Sequence, residues 1–179
     1  MNKIKIIIGL GNPLSKYRNT RHNVGSWYVL ELANLFNLKL KKKTKFLGYY
    51  SYFFYLNKKI FLFIPNVFMN INGLSVLKIA NFYSIKLEEM FIIHDELDLL
   101  PGIIKLRNGY GSNGHKGLKN IIGKFKKKTV YKRLSIGIGR PNNKKDISDF
   151  VLSKPTNLDK KKIFSSIRCS INKLFVNNF

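Results

Sequence analysis

The chain has 179 residues, a length that favours one domain on the soft prior of about 150 residues apiece, and such a domain can bury a sizeable core. Its 33 basic residues against 9 acidic ones give a formal charge of +24, a field suited to polyanions, nucleic acid foremost. No apolar run approaches the roughly 20 residues of a membrane span, no secretory signal opens the chain, and a lone Cys169 excludes an internal disulfide, so a cytoplasmic protein is expected.

In chain order, residues 3–9 form a β-branched run ending in Gly9-Leu10-Gly11-Asn12-Pro13, the pattern of a buried strand that delivers a tight loop. Residues 26–36 carry Trp27, Leu30 and Leu35 at helical spacing and make the first crossover helix. Segments 48–56 and 60–64 read as a hairpin joined by the polar Asn57-Lys58-Lys59, which makes the sheet mixed. A helix over 72–83, a buried strand over 90–94 and, past the Pro101-Gly102 turn, a short strand over 103–107 follow. The polar loop 108–114 then leads into a helix on which Leu118, Ile121, Ile122 and Phe125 stand at i, i+3, i+4 and i+7. Residues 134–139 are the last interior strand. From Asn157 onward the tail is helical, with Thr156 and Asp159 placed as a capping box and an apolar stripe of Ile163, Phe164, Ile167, Ile171, Leu174 and Phe175. Cys169 falls on this helix in a small buried apolar role. Strands alternating with helices predict a single-domain α/β/α sandwich over 1–179, built around a twisted, mixed and mostly parallel sheet, with functional loops at the carboxyl ends of the strands.

The basic excess is mostly lysine, 27 against six arginines, which mutational drift alone would also produce. Runs such as Lys41-Lys42-Lys43 and Lys126-Lys127-Lys128 read, taken singly, as solvated faces.

Three histidines limit the choice of a base working near neutral pH. His22 lies in the polar Thr20-Arg21-His22-Asn23, either as an accessible base or as a surface or capping histidine. His94 ends a strand, half buried, and His115 sits in the glycine loop, where it can meet a phosphate or substrate. The stretch His94-Asp95-Glu96-Leu97-Asp98 gathers three of the nine acids at a strand end. One reading is a divalent-metal site for phosphodiester cleavage, although the other six acids fall on predicted helices or their ends and supply no complete cage. The other pairs Asp95 with a histidine from elsewhere, as the third member of a triad does. Gly9-Leu10-Gly11 lacks the third glycine of a dinucleotide fingerprint, because Leu14 stands there, and Pro13 removes a donor that a phosphate cradle would use. Asn12 is instead expected to aim its amide into a site, and Asn70 in Phe68-Met69-Asn70 either does the same or caps a helix.

Together these blocks carry a resemblance that none establishes alone. Gly9-Leu10-Gly11-Asn12-Pro13, Tyr17, Thr20-Arg21-His22-Asn23, Phe68-Met69-Asn70, His94-Asp95-Glu96-Leu97-Asp98, Gly114-His115 and Ile136-Gly137-Ile138-Gly139, in this order, resemble the bacterial peptidyl-tRNA hydrolase family over nearly the whole chain. The resemblance implies an esterase acting on peptidyl-tRNA without metal or other cofactor. In it His22 is the catalytic base, Asp95 orients it, and Asn12 with Asn70 positions water or the substrate carbonyl. Tyr17, Met69, Lys116 and His115 match positions lining the same cleft. The expected partner is peptidyl-tRNA, bound through its acceptor stem and peptide by a monomer, with phosphate contacts from Lys105, Arg107, Lys119 and Arg140, and from Lys116.

The chain departs from the family pattern at several points. Lys116 replaces the asparagine usual after the loop histidine, Leu14 a glycine, and Ser135 an arginine implicated in tRNA contact, for which Lys132 and Arg133 are candidate substitutes. The loop 108–114 is poorer in glycine and the terminal helix is shorter. Two rivals remain: a non-enzymatic RNA-binding relative of the kind serving organellar splicing, and a metal-dependent nuclease using Asp95, Glu96 and Asp98.

Overall fold

The computed structural model describes residues 3–125 and 129–176, so the run Lys126-Lys127-Lys128 lies outside the described residues. Seven strands form one sheet: β1 (Ile6–Gly9), β2 (Lys41–Lys43), β3 (Gly48–Tyr55), β4 (Lys58–Pro65), β5 (Met90–Glu96), β6 (Ile104–Gly109) and β7 (Tyr131–Gly137). Their spatial order is β2-β3-β4-β1-β5-β7-β6. The central β4, β1, β5 and β7 are parallel neighbours, while β2–β3, β3–β4 and β6–β7 pair antiparallel. Hence β1, β2, β4, β5 and β7 run one way and β3 and β6 the other, the mixed, mostly parallel sheet expected.

The helices are α1 (Leu14–Tyr17), α2 (Val24–Leu35), α3 (Asn72–Phe82), α4 (Lys116–Ile122), α5 (Ile147–Leu152) and α6 (Asn157–Ile171). Alternation along each strand splits the core in two. Ile7, Leu62, Phe91, Ile93, Leu134 and Ile136 face α2 and α6. Ile6, Ile8, Phe61, Phe63, Ile92 and Tyr131 face the side of α3 and α4. Of the predicted stripe, Ile163, Ile167 and Ile171 on α6 and Phe175 just beyond it are buried, and Phe164 and Leu174 are partly buried. Of the expected capping box, the Thr156 half is in place: its Oγ1 accepts from the Asp159 N–H at 3.1 Å.

Chain direction at the sheet centre decides where a ligand can enter. From β1 the chain moves outward to β2–β4 and then returns to the far side of β1 as β5, so the crossovers diverge between β1 and β5. Open α/β sheets leave a crevice at such a switch point, outside the carboxyl ends of the strands. Gly9 and Gly25 bring α2 down against this centre: a Cβ on Gly25 would lie 2.4 Å from the Ile93 carbonyl oxygen, and one on Gly9 2.3 Å from that of Gly25. The glycines after β1 therefore serve close helix–sheet packing.

Several elements differ from the reading of the sequence. The hairpin turn is the two residues Leu56-Asn57, both at positive φ (48° and 59°), the geometry a right-twisted hairpin favours, so Lys58 and Lys59 belong to β4. Lys41-Lys42-Lys43 forms an edge strand rather than only a solvated run, its lysines discouraging further pairing. α1 was not foreseen, and α5 gives bounds to the helix implied at Asp146 and Asp149. β5 continues to Glu96, which keeps the acidic cluster's first two members on the strand. Cys169 is exposed, not buried, because it sits two residues past Ile167 and so on the opposite side of the helix.

Candidate functional site

The carboxyl end of β5 is the organising point. His94, Asp95 and Glu96 are all buried. Asp95, with its side chain only 3% exposed, accepts from two histidines: Nδ1 of His22 lies 2.8 and 2.9 Å from its two oxygens, and Nε2 of His115 lies 2.9 Å from Oδ1. His22 arrives from the turn before α2 and His115 from the start of α4, so the carboxylate holds together loops from both faces of the sheet. A carboxylate only accepts, so both histidines donate to it. Nδ1 of His115 accepts from the Leu118 N–H at 3.2 Å, capping α4, which fixes the proton of this ring on Nε2. In His22 the proton on Nδ1 leaves Nε2 with its lone pair and no hydrogen-bond partner among the described residues.

Charge follows geometry. Burial works against a charged His22, but Asp95, by its charge and hydrogen bond, outweighs this and holds the imidazole above its ordinary value, while Lys116 pulls the other way. Burial would raise Asp95; His22 and His115 instead drive it well below the carboxylate range. His94 is a third case: burial first, then His115, push it down to about 3. It is a neutral core residue, donating from Nδ1 to the Asp95 carbonyl at 2.7 Å and accepting on Nε2 from Ser135 Oγ at 3.1 Å. His94 is thus fully buried rather than half buried.

Asn12 reaches the same crevice from the loop after β1. Its Oδ1 accepts from the Met69 N–H at 2.8 Å, which identifies the oxygen and turns Nδ2, a donor, toward the opening. Its backbone is clamped by Asn23, whose Oδ1 accepts from the Asn12 N–H at 3.0 Å and whose Nδ2 donates to the Asn12 carbonyl at 2.9 Å. Gly11 makes room for that clamp, since a Cβ there would sit 2.8 Å from Asn23 Nδ2. Asn70 is exposed and does not cap α3. That end is held by Asn120, whose Oδ1 takes the Gly73 N–H, and by Asn72, whose Nδ2 meets the carbonyls of Gly11, Val67 and Phe68.

These groups line one cleft of about 940 Å³. It contains every expected catalytic and cleft residue: Asn12, Tyr17, His22, Met69, Asn70, Asp95, His115 and Lys116. Tyr17 meets Phe68 edge-on at 6.1 Å. Unforeseen is the wall from α5, Ile147, Ser148, Val151 and Leu152. It is tied to the turn that carries His22 by Arg21, whose N–H bonds the Ser153 carbonyl at 3.0 Å. Its Nη1 meets Ser153 Oγ at 2.6 Å and the Lys154 carbonyl at 2.7 Å, and its guanidinium lies 4.2 Å from the Phe150 ring centre. Arg21 and Asn23 stood in the polar block around His22 that carries the resemblance, but with no role of their own.

The three acids do not converge as a cage. Glu96 accepts from Asn113 Nδ2 at 3.0 Å and from the Asp98 N–H, and Asp98 pairs with Arg140 at the surface. Among the described residues the set with metal-ligand types is His22, Asp95 and His115, within 4.8 Å of one another. Their nearest atoms are already spent on the hydrogen bonds between them, so an ion would have to displace both.

The expected phosphate contacts distribute as follows. Ile104 packs on the α6 side, so by alternation Lys105 and Arg107 project on the face of α4, where Lys119 is exposed. Arg140 lines the cleft, engaged with Asp98. Ser135 is fully buried against His94 and cannot face a nucleic acid, and Arg133 is buried with Nη1 on the Gly111 carbonyl at 2.7 Å, bracing the glycine loop. Of the two candidate substitutes for an arginine at 135, Arg133 is therefore committed elsewhere.

Residues 6–176 match the family model described as peptidyl-tRNA hydrolase. The chain is 54% identical over 159 residues to the peptidyl-tRNA hydrolase of Buchnera aphidicola subsp. Cinara cedri, covering 89% of this chain and 83% of the relative. It is 45% identical over 163 residues to that of Haemophilus ducreyi, covering 91% and 84%. The crystal structure of peptidyl-tRNA hydrolase from Acinetobacter baumannii superimposes with a TM-score of 0.90 at 38% identity, covering 99% of this chain and 91% of that one.

Proposed function

Because the chain belongs to the peptidyl-tRNA hydrolase family and hydrolyses the ester between peptide and tRNA, we propose that His22 is the base of that reaction and Asp95 the group that orients it. The observation that carries this is the 2.8 Å contact from His22 Nδ1 to Asp95 Oδ2, which leaves Nε2 as the lone pair in the cleft. Nε2 takes a proton from water as the water oxygen attacks the ester carbonyl carbon. The imidazolium so formed lies against the Asp95 carboxylate. Collapse of the tetrahedral species breaks the bond to the ribose oxygen, and the leaving oxygen recovers the proton from Nε2. A positioned base contributes about 10² to 10⁴ in rate. Asn12 Nδ2 is the donor for the developing oxyanion, a contribution on the order of 10² to 10³, and Asn70 holds the substrate carbonyl or water opposite.

Tyr17 and Met69 form the floor on which the peptide end lies, and His115 and Lys116 its rim. Lys105, Arg107, Lys119 and Arg140 take phosphates of the acceptor stem, which positions any tRNA without reading bases. The molecule acts as a single domain over 1–179, as a monomer, in the cytoplasm, and without a metal. No helix among the described residues is long and apolar enough to cross a membrane.

His22→Ala tests the central assignment. Turnover of peptidyl-tRNA is expected to fall by at least about 10²-fold while tRNA affinity is kept. Full activity in this variant would remove His22 from the mechanism. Activity lost in chelator and restored by a divalent ion would replace the water-activation scheme by a metal-assisted one.

A further inference from the structure

We propose that the solvent face of the β3–β4 hairpin is a second RNA surface, taking unpaired nucleotides by stacking bases on Tyr52 and Phe54 while the phosphates follow the lysines of the adjoining groove. Alternate residues of β3 point to the α3 face of the sheet but lie beyond the cover of that helix, so Tyr52 is 46% and Phe54 67% exposed. Their rings stand 6.2 Å apart. Behind them Tyr52 meets Phe61 at 6.3 Å, and Phe61 packs on Tyr83 at 4.2 Å, so the exposed rings rest on a rigid aromatic base. Isolated exposed apolar side chains need no explanation, but a row of aromatic rings interleaved with cations does. The Lys59 ammonium sits 4.0 Å from the centre of the Tyr52 ring and 5.2 Å from that of Phe61, so one π face of Tyr52 already takes a cation, which an incoming nucleotide would draw off to its phosphate as the base stacks.

Beside the rings runs a groove of about 720 Å³ that shares Lys59, Phe61 and Tyr83 with them. It is lined by Lys3, Lys5, Lys58, Lys59 and Lys86 against two carboxylates, of which Glu89 is held by Lys5 at 2.7 Å and by the Lys86 N–H, leaving Glu88 at the rim. Aromatic platforms flanked by a cationic track are the common solution for single-stranded nucleic acid, because every base has a π face and every nucleotide a phosphate. A lipid surface would be met by a continuous apolar patch, whereas here an ammonium interrupts the rings. The groove lies at the amino ends of β1 and β4, opposite the cleft, so this surface is separate from the hydrolytic site.

The test is fluorescence anisotropy of a labelled twelve-nucleotide oligouridylate with the intact protein. Y52L/F54L, which keeps apolar bulk but cannot stack, is expected to weaken binding at least about fivefold, and K59Q to reduce its salt dependence. Hydrolysis of peptidyl-tRNA by Y52L/F54L at saturating substrate should match the parent and so report an intact fold. If the double variant misfolds, F54L alone, the more exposed site, is read in the same way. Ultraviolet cross-links should map to β3. Unchanged affinity in the ring variants, cross-links confined to α4 or the cleft, or binding to phosphatidylglycerol vesicles in preference to the oligonucleotide would each overturn the proposal.

Discussion

Replacing Asp95 by Asn alters two hydrogen bonds at once. The carboxylate now accepts from His22 Nδ1 and His115 Nε2, at 2.8 and 2.9 Å, and an amide has one oxygen for the two donors. Nε2 of His115 is held protonated by the Leu118 N–H on its other nitrogen, so its ring keeps the amide oxygen and turns the NH₂ toward His22. His22 must then present a bare Nδ1, which moves its proton to Nε2, the nitrogen proposed to accept one from water. The same exchange in a serine protease triad costs about 10⁴ in turnover. A loss of about 10³ to 10⁴ is expected here, or about 4 to 5.5 kcal/mol of transition-state stabilisation. A second signature separates this from simple damage. With the carboxylate charge gone, burial and Lys116 both depress His22, so the acidic limb of the pH–rate profile moves to lower pH even as the plateau falls. Initial rates on purified peptidyl-tRNA from pH 5 to 9 read both quantities. Activity within tenfold of the parent, or a limb displaced to higher pH, would refute the orienting role.

Lys116→Asn removes a cation that lowers His22, so the acidic limb should move to higher pH with turnover unchanged or improved; a collapse of activity would show that the lysine has become essential. His94 has a folded value of about 3, below the roughly 6.5 of an unfolded chain, so the unfolded state takes the proton first and stability falls as pH drops through that interval. Melting temperatures between pH 7 and 4.5 should decline less steeply in His94→Asn, and equal slopes would count against it. Gly25→Ala places a Cβ 2.4 Å from the Ile93 carbonyl oxygen and should cost about 3 kcal/mol in chemical denaturation, an effect under 0.5 kcal/mol being contrary to the packing described. Removing Lys105, Arg107 and Lys119 together should flatten the dependence of log tRNA affinity on log salt by about 2 to 3, near 0.9 per phosphate lost, and an unchanged slope would move the tRNA elsewhere.

What the sequence disclosed follows from the range of the interactions involved. α2 and α6 were legible because periodicity is local, and β1 and β5 because buried central strands read as unbroken apolar runs. The lysine strand β2 was not, since edge pairing depends on β3 rather than on its own composition. The pairing of His22 with Asp95 spans 73 positions and came from triad logic and family resemblance, not from any local pattern. The second histidine on the same carboxylate was invisible because a glycine loop carries no periodicity to aim it. Asn23 stood next to the expected base, yet its clamp on Asn12 appears only when Gly11 allows the two backbones to approach. Cys169 was misplaced although the helical angle from Ile167 already sent it outward.

The strap from Arg21 to the end of α5 makes the turn that carries His22 and one bank of the cleft a single mechanical body. A bulky nascent chain cannot lever that bank aside without dragging the His22 imidazole away from Asp95. Adaptation to peptides of varied shape must then fall to the opposite bank, where Asn113 and Gly114 adopt positive φ and the loop is pinned chiefly through Gly111 and Asn113. Tolerance and accuracy thus reside on facing shores of the same channel, and a change that stiffens one need not disturb the other.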